Sequence, residues 1–308
     1  MERFTGVNAA VLTPLTADLT PDDALMAEYS QWLLNNGCDG LAILGTTGEA
    51  NSFSLKERIR IIENMVEAGI PASTMMPGTG SCSLTDAVEL TRVAVNAGCG
   101  GVLMLPPFYY KNPSDAGLFR FFSEVIQRVG DARLQIYLYH FPQMSSTPVS
   151  HDLIEMLLKE YPETIAGMKD SSGVLDNMVG AAQKFPGFHV LSGAEDCFLP
   201  LLEAGGAGCI TACSNVSSQL AQDVYQAYKN GTDASAANDP LCAIRGVIQN
   251  YPLSSALKQL IARHSGNDAW KNTRPPFVDM DDVTRQKLFN EFDAIGHSRW
   301  PPDGHPRH

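Results

Sequence analysis

The feature that most constrains this chain is an alternation of short apolar runs with longer segments of helical spacing. Runs of this length, bounded by turn residues, read as buried strands. They fall at residues 7–12, 40–44, 73–76, 101–105, 134–139, 165–169, 190–193 and 208–212. Apolar residues recur with helical spacing over residues 21–34, 55–68, 83–97, 113–129, 151–160, 175–185 and 217–228. Each helix-sized crossover returns the chain to the same end of the sheet, so the strands run parallel. Eight such units favour a closed (β/α)8 TIM barrel over a doubly wound sheet. An internal echo supports a repeating unit: residues 35–44 resemble residues 96–105, with a weaker third copy at 204–210. Each copy is a helix end, a glycine-rich turn and a buried strand.

The barrel is expected to occupy residues 1–230. Beyond the polar stretch 230–240 the strand pattern stops, and residues 241–249, 253–265 and 281–295 read as helices. Residues 231–296 are therefore expected as a C-terminal helical extension packed on the barrel, with a flexible Pro-, Gly- and His-containing tail at 297–308. A chain of 308 residues is long enough for two domains, but α/β barrels of about 250 residues form one unit. The net charge of -12 argues against nucleic acid and anionic membranes as partners, because both select a basic face. It leaves room for a small anionic substrate, since local donors decide that. No apolar stretch is long enough for a membrane span, and Met1-Glu2-Arg3-Phe4 does not begin a signal peptide, so a cytoplasmic protein is expected. The seven cysteines are scattered and form no C-x-x-C pair, which suggests reduced core thiols and no metal site.

Chemistry is expected at the carboxyl ends of the strands. Lys169 closes the run Ile165-Ala166-Gly167-Met168-Lys169, just before the polar turn Asp170-Ser171-Ser172-Gly173. Burial there disfavours the ammonium form, and a neutral amine attacks carbonyls, so Lys169 is a candidate Schiff-base former. The plainer reading is a lysine reaching the rim and held by Asp170. Tyr139 ends the preceding strand, and by alternation it shares one face with Tyr137 and Gln135. A phenol beside an amine can carry the protons that imine formation needs; the plainer reading is a core tyrosine. Gly45-Thr46-Thr47-Gly48-Glu49 follows the second strand and offers hydroxyls and backbone N–H groups to a carboxylate, unless it merely ends the strand. Together the three groups suit a 2-oxo acid whose ketone meets Lys169 and whose carboxylate meets Thr46 and Thr47.

Taken in order, these pieces resemble the dihydrodipicolinate synthase / N-acetylneuraminate lyase family of class I, pyruvate-dependent aldolases. Gly45-Thr46-Thr47-Gly48-Glu49, Pro106-Pro107-Phe108-Tyr109-Tyr110, Tyr139 with Pro142, Gly167-Met168-Lys169-Asp170, Ser192-Gly193, Lys258 and Arg274-Pro275-Pro276 carry the likeness from Phe4 to Ile295. The resemblance implies Lys169 as the Schiff-base lysine and Tyr139 as the proton-relay tyrosine. It implies Thr46 and Thr47 as the carboxylate turn, with Thr47 also in the relay. Tyr110, or Tyr109 beside it, would reach into a neighbouring subunit's site, and Gly193 and Ile210 would line the pocket. It further implies a homotetramer that needs no metal or organic cofactor beyond the covalent lysine imine. The amino-acid-forming branch has Asn after the relay tyrosine and, a few residues on, an Arg for the second substrate's carboxylate. Here those positions are His140 and Met144, and a thioether cannot pair with a carboxylate. A lyase that cleaves or condenses pyruvate with an aldehyde, acting on a 2-keto-3-deoxy sugar acid or related hydroxy-keto acid, is therefore the expectation, with His140 as a candidate substrate contact. The alternatives are 4-hydroxy-tetrahydrodipicolinate synthase acting on pyruvate and aspartate semialdehyde, and a non-catalytic 2-oxo-acid sensor.

Overall fold

The computed structural model describes residues 3–296. The expected tail at 297–308, with its histidines, lies outside the described residues. In chain order the elements are β1 (Gly6–Ala10), α1 (Asp23–Asn35), β2 (Gly40–Ala42), α2 (Leu55–Glu67), α3 (Leu84–Asn96), β3 (Val102–Met104), α4 (Asp115–Val129), β4 (Ile136–His140), α5 (Pro142–Ser145), α6 (His151–Glu160) and β5 (Ile165–Asp170). There follow α7 (Leu175–Lys184), β6 (His189–Ser192), α8 (Phe198–Glu203), β7 (Gly208–Thr211), α9 (Ser214–Lys229), α10 (Ser235–Ile248), α11 (Leu253–Ser265) and α12 (Asp282–Ala294).

The strands pair in the order β2-β1-β7-β6-β5-β4-β3, all parallel. The expected strand at 73–76 is the one that does not form: Ala72–Thr74 is a 3-10 turn. The segment after it still closes the ring through single bridges, Leu41 to Met75 on one side and Gly78 to Leu103 on the other. Its backbone alternates sides: Met76 and Gly78 N–H donate to Leu41 and Ile43, while Leu103 N–H donates to Pro77. Pro77 itself has no N–H to give, which interrupts the ladder toward β3. The result is a (β/α)8 barrel with seven regular strands and an irregular eighth stave.

Local chemistry fixes several helix starts. Ser54 and Glu57 form a reciprocal capping box on α2, and Ser83, Ser114 and Ser150 cap α3, α4 and α6. The sequence reading misses α5 and α8, which are only one to two turns long, and starts α10 too late. Residues 230–240 read as a polar stretch before the helix, yet α10 begins at Ser235, whose N–H and hydroxyl are held by Asp233.

Two apolar layers result. The larger lies between strands and helices, and the smaller fills the barrel interior with Phe4, Met76, Leu103, Tyr137, Leu191 and Ile210 among others. Phe4 plugs the amino-terminal end of the barrel, with its ring edge-on to Tyr137 at 5.7 Å and its N–H donating to the Tyr137 hydroxyl at 2.7 Å. Tyr137 fits because Gly167 stands opposite: a Cβ there would lie 3.0 Å from its ring and 2.2 Å from the His189 carbonyl. One end of the barrel is thus sealed, and the other is left for chemistry. None of the described helices is long and apolar enough to cross a membrane.

Candidate active site

At the open end a cavity of about 480 Å³ lies over the carboxyl ends of the strands. That falls within the range of small-molecule sites, roughly 300–1,000 Å³. Lys169 and Tyr139 are register partners on β5 and β4, both line the cavity, and each is only 4% exposed. The Lys169 Nζ sits 4.6 Å from the centre of the Tyr139 ring. Strand alternation separates Lys169 from its neighbour in sequence. Asp170 is fully buried on the opposite face, where its carboxylate accepts Ser172 N–H and the Asn177 amide. The reading of Lys169 as a rim lysine held by Asp170 therefore fails.

Thr46 and Thr47 also line the cavity, in the turn that follows β2. Thr46 Oγ1 lies 3.4 Å from the Tyr139 hydroxyl. The contact was expected of Thr47, whose carbonyl instead accepts the Ser254 hydroxyl at 3.0 Å. The turn is anchored from beneath by Glu49, which sits in a left-handed conformation with φ 57°. The buried Glu49 carboxylate accepts Lys258 Nζ from α11 and Arg274 N–H at 3.2 Å. Burial holds the Lys258 ammonium below its usual range, with the Glu49 charge opposing that shift. Arg274 also pairs with Glu57, whose carboxyl it pulls down to about 2.

Gly193 lines the cavity as expected, and a Cβ there would collide with the Ser171 hydroxyl. Two expected positions, His140 and Ile210, are not brought to the cavity. His140 is turned outward by strand alternation, and its Nδ1 accepts Val149 N–H at 3.0 Å. Burial holds its imidazole below the usual range, with Asp170 opposing and His151 reinforcing. Ile210 is fully buried in the barrel interior, below the cavity floor. Tyr109 and Tyr110 pack edge to face at 5.3 Å on the loop after β3, 72% and 79% exposed. Met144 does line the cavity.

The C-terminal region supplies lining that the strand pattern could not announce: Arg245 from α10, Ser254 and Ser255 from α11, and Phe277 from the segment before α12. Among the described residues no three His, Cys, Asp or Glu side chains converge as a metal site. Cys209 and Cys213 are buried thiols whose pKa burial pushes up.

A family model for the Dihydrodipicolinate synthetase family matches residues 3–295. An uncharacterized DapA-like lyase of Chloroflexus aurantiacus is 34% identical over 255 residues, spanning 82% of this chain and 84% of the relative. The solved dihydrodipicolinate synthase of Agrobacterium tumefaciens superposes with a TM-score of 0.88 at 30% identity, over 95% of this chain and 99% of that one. YagE, a prophage protein of the dihydrodipicolinic acid synthase family from E. coli K12 solved with pyruvate, superposes with a TM-score of 0.87 at 27% identity, over 95% and 99%.

Proposed function

The chain belongs to the dihydrodipicolinate synthetase family and is a pyruvate-dependent carbon–carbon lyase of class I; from that premise we propose that Lys169 carries the imine and that the natural substrate is a 2-keto-3-deoxy sugar acid or related hydroxy-keto acid. The observation that carries this is the pairing of Lys169 with Tyr139 in register at the floor of the cavity, with the Thr46–Thr47 turn beside them.

In the cleavage direction the Lys169 amine adds to the C2 carbonyl and water leaves, giving a protonated imine. The C3–C4 bond then breaks, and its electron pair moves into the imine to form an enamine. The C4 hydroxyl loses its proton to the Tyr139–Thr46 relay and becomes the departing aldehyde. Protonation of C3 and hydrolysis of the imine release pyruvate and restore the amine. Hydroxyl and backbone donors of the Thr46–Thr47 turn hold the carboxylate throughout. Run in reverse, the same steps condense pyruvate with the aldehyde. In this reading the covalent imine does the work of a cofactor.

The hydroxyl-bearing chain of a sugar acid is supported by Gln143, Ser171, Ser172, Ser254 and Ser255, which line the remainder of the cavity. The synthase reading has support from relatives named 4-hydroxy-tetrahydrodipicolinate synthase, such as that of Methanopyrus kandleri at 34% identity over 304 residues. Against it, Met144 lines the cavity where that branch has its carboxylate-binding arginine. The exposed Tyr109 and Tyr110 pair supports assembly with a second copy, within the tetramer that the family resemblance implies. The test is pyruvate release from a panel of 2-keto-3-deoxy sugar acids, read with lactate dehydrogenase, beside condensation with aspartate semialdehyde. The expected result is turnover of at least one sugar acid well above the synthase reaction; efficient turnover of aspartate semialdehyde alone would overturn it.

A further inference from the structure

Arg245 is the one cavity-lining arginine among the described residues, and it arrives from α10, outside the strand-and-loop pattern. Its position around the ring differs from that of the carboxylate turn. Thr46 and Thr47 follow β2, whereas Arg245 sits over the β6–β7 side, beside Glu195 and Cys213. In the barrel order β1 and β7 stand between β2 and β6. A ligand whose 2-oxo carboxylate occupies the turn therefore presents some other group to Arg245.

The guanidinium is incompletely used. Its Nη1 lies 3.9 Å from Glu195 Oε2, too long for a hydrogen bond. Glu195 is 1% exposed; its Oε1 accepts Cys213 N–H at 3.2 Å, and its Oε2 has no hydrogen-bond partner among the described residues. The buried carboxylate thus lies near the guanidinium without occupying its donor fork. A planar guanidinium presents five N–H donors on more than one edge, so an edge remains for a planar or tetrahedral anion.

We propose that Arg245 is a specificity-determining residue that binds an anionic group at the end of the substrate remote from the 2-oxo acid, so that the preferred substrates are 2-keto-3-deoxy sugar acids carrying a second, terminal acidic group. A terminal carboxylate and a terminal phosphate ester share the required chemistry. This assignment rests on the Schiff-base reading of Lys169.

The test compares three cleavage substrates of equal chain length that differ only at C6: a 2-keto-3-deoxyhexonate with a hydroxymethyl end, its 6-phosphate and its 6-carboxylate. The wild-type enzyme is expected to prefer one of the two anionic forms by about tenfold to a hundredfold in kcat/KM, the usual reach of a charged hydrogen bond. Which form wins identifies the source of the anion. In Arg245→Gln that preference should collapse toward unity, mainly through KM, and in Arg245→Lys it should be partly retained. Borohydride trapping of pyruvate on each variant reports folding and the imine separately. Trapped adduct with no anionic preference in wild type, or with the preference intact in Arg245→Gln, would overturn the assignment while leaving the imine standing. Absence of adduct in wild type would instead remove the reading on which it rests.

Discussion

Thr46 rather than Thr47 meets the Tyr139 hydroxyl, and the difference of one position shows what a motif does and does not carry. Gly45-Thr46-Thr47-Gly48 announces two hydroxyls in a turn; which one meets Tyr139 depends on how that turn is seated, and Glu49 with its C-terminal partners decides the seating. Lys169 and Tyr139 were legible because strand alternation puts each on the inner face at a strand's end; their matching height comes from the register of the two strands. The same alternation, applied one residue on, places His140 outside the cavity. Tyr139→Phe should lower kcat for pyruvate release by about 10²- to 10⁴-fold, the usual value of a positioned proton-transfer group. Thr46→Val should cost only about two- to tenfold, the worth of one hydrogen bond. Equal kcat in wild type and Tyr139→Phe, measured with the same assay, would remove the phenol from the mechanism.

At the scale of elements, the C-terminal helices are part of the site's construction rather than an appendage. Lys258 on α11, fully buried, pairs with the equally buried side chain of Glu49 and also donates to the Asn272 carbonyl at 2.9 Å. Asn272 and Arg274 in turn hold the loop that follows β1, through the Leu15 and Leu19 carbonyls. Removing one partner of a buried pair leaves an uncompensated charge. Lys258→Met should therefore destabilise the fold by about 3–5 kcal/mol in urea unfolding. Adding Glu49→Gln should recover much of that loss, because an isosteric neutral pair has no charge to bury. A Lys258→Met protein as stable as wild type would show that the pair is not holding the turn. Sequence reading found these helices from their periodicity but could not say which barrel end they cover. A 3.6-residue repeat specifies a buried face, not what is buried against it. Arg245 escaped notice for that reason.

Taken as a whole molecule, the barrel works because its two ends are treated oppositely. Phe4 and Tyr137 close the amino-terminal end with packed rings, while the carboxyl end keeps a cavity roofed by Arg245, Ser254, Ser255 and Phe277. The architecture was readable because strict strand–helix alternation leaves few topologies. The eighth stave was overread: residues 73–76 are apolar enough for a strand, yet the 3-10 turn at Ala72–Thr74 and the missing donor of Pro77 reduce it to isolated bridges. The proposed chemistry rests on one buried amine, Lys169, lining that cavity. The most direct measurement is borohydride reduction in the presence of pyruvate, followed by intact-mass and peptide analysis. A single reduced pyruvyl adduct is expected, located on Lys169 and lost in Lys169→Ala. An unmodified protein, or an adduct mapped to any other lysine, would contradict it.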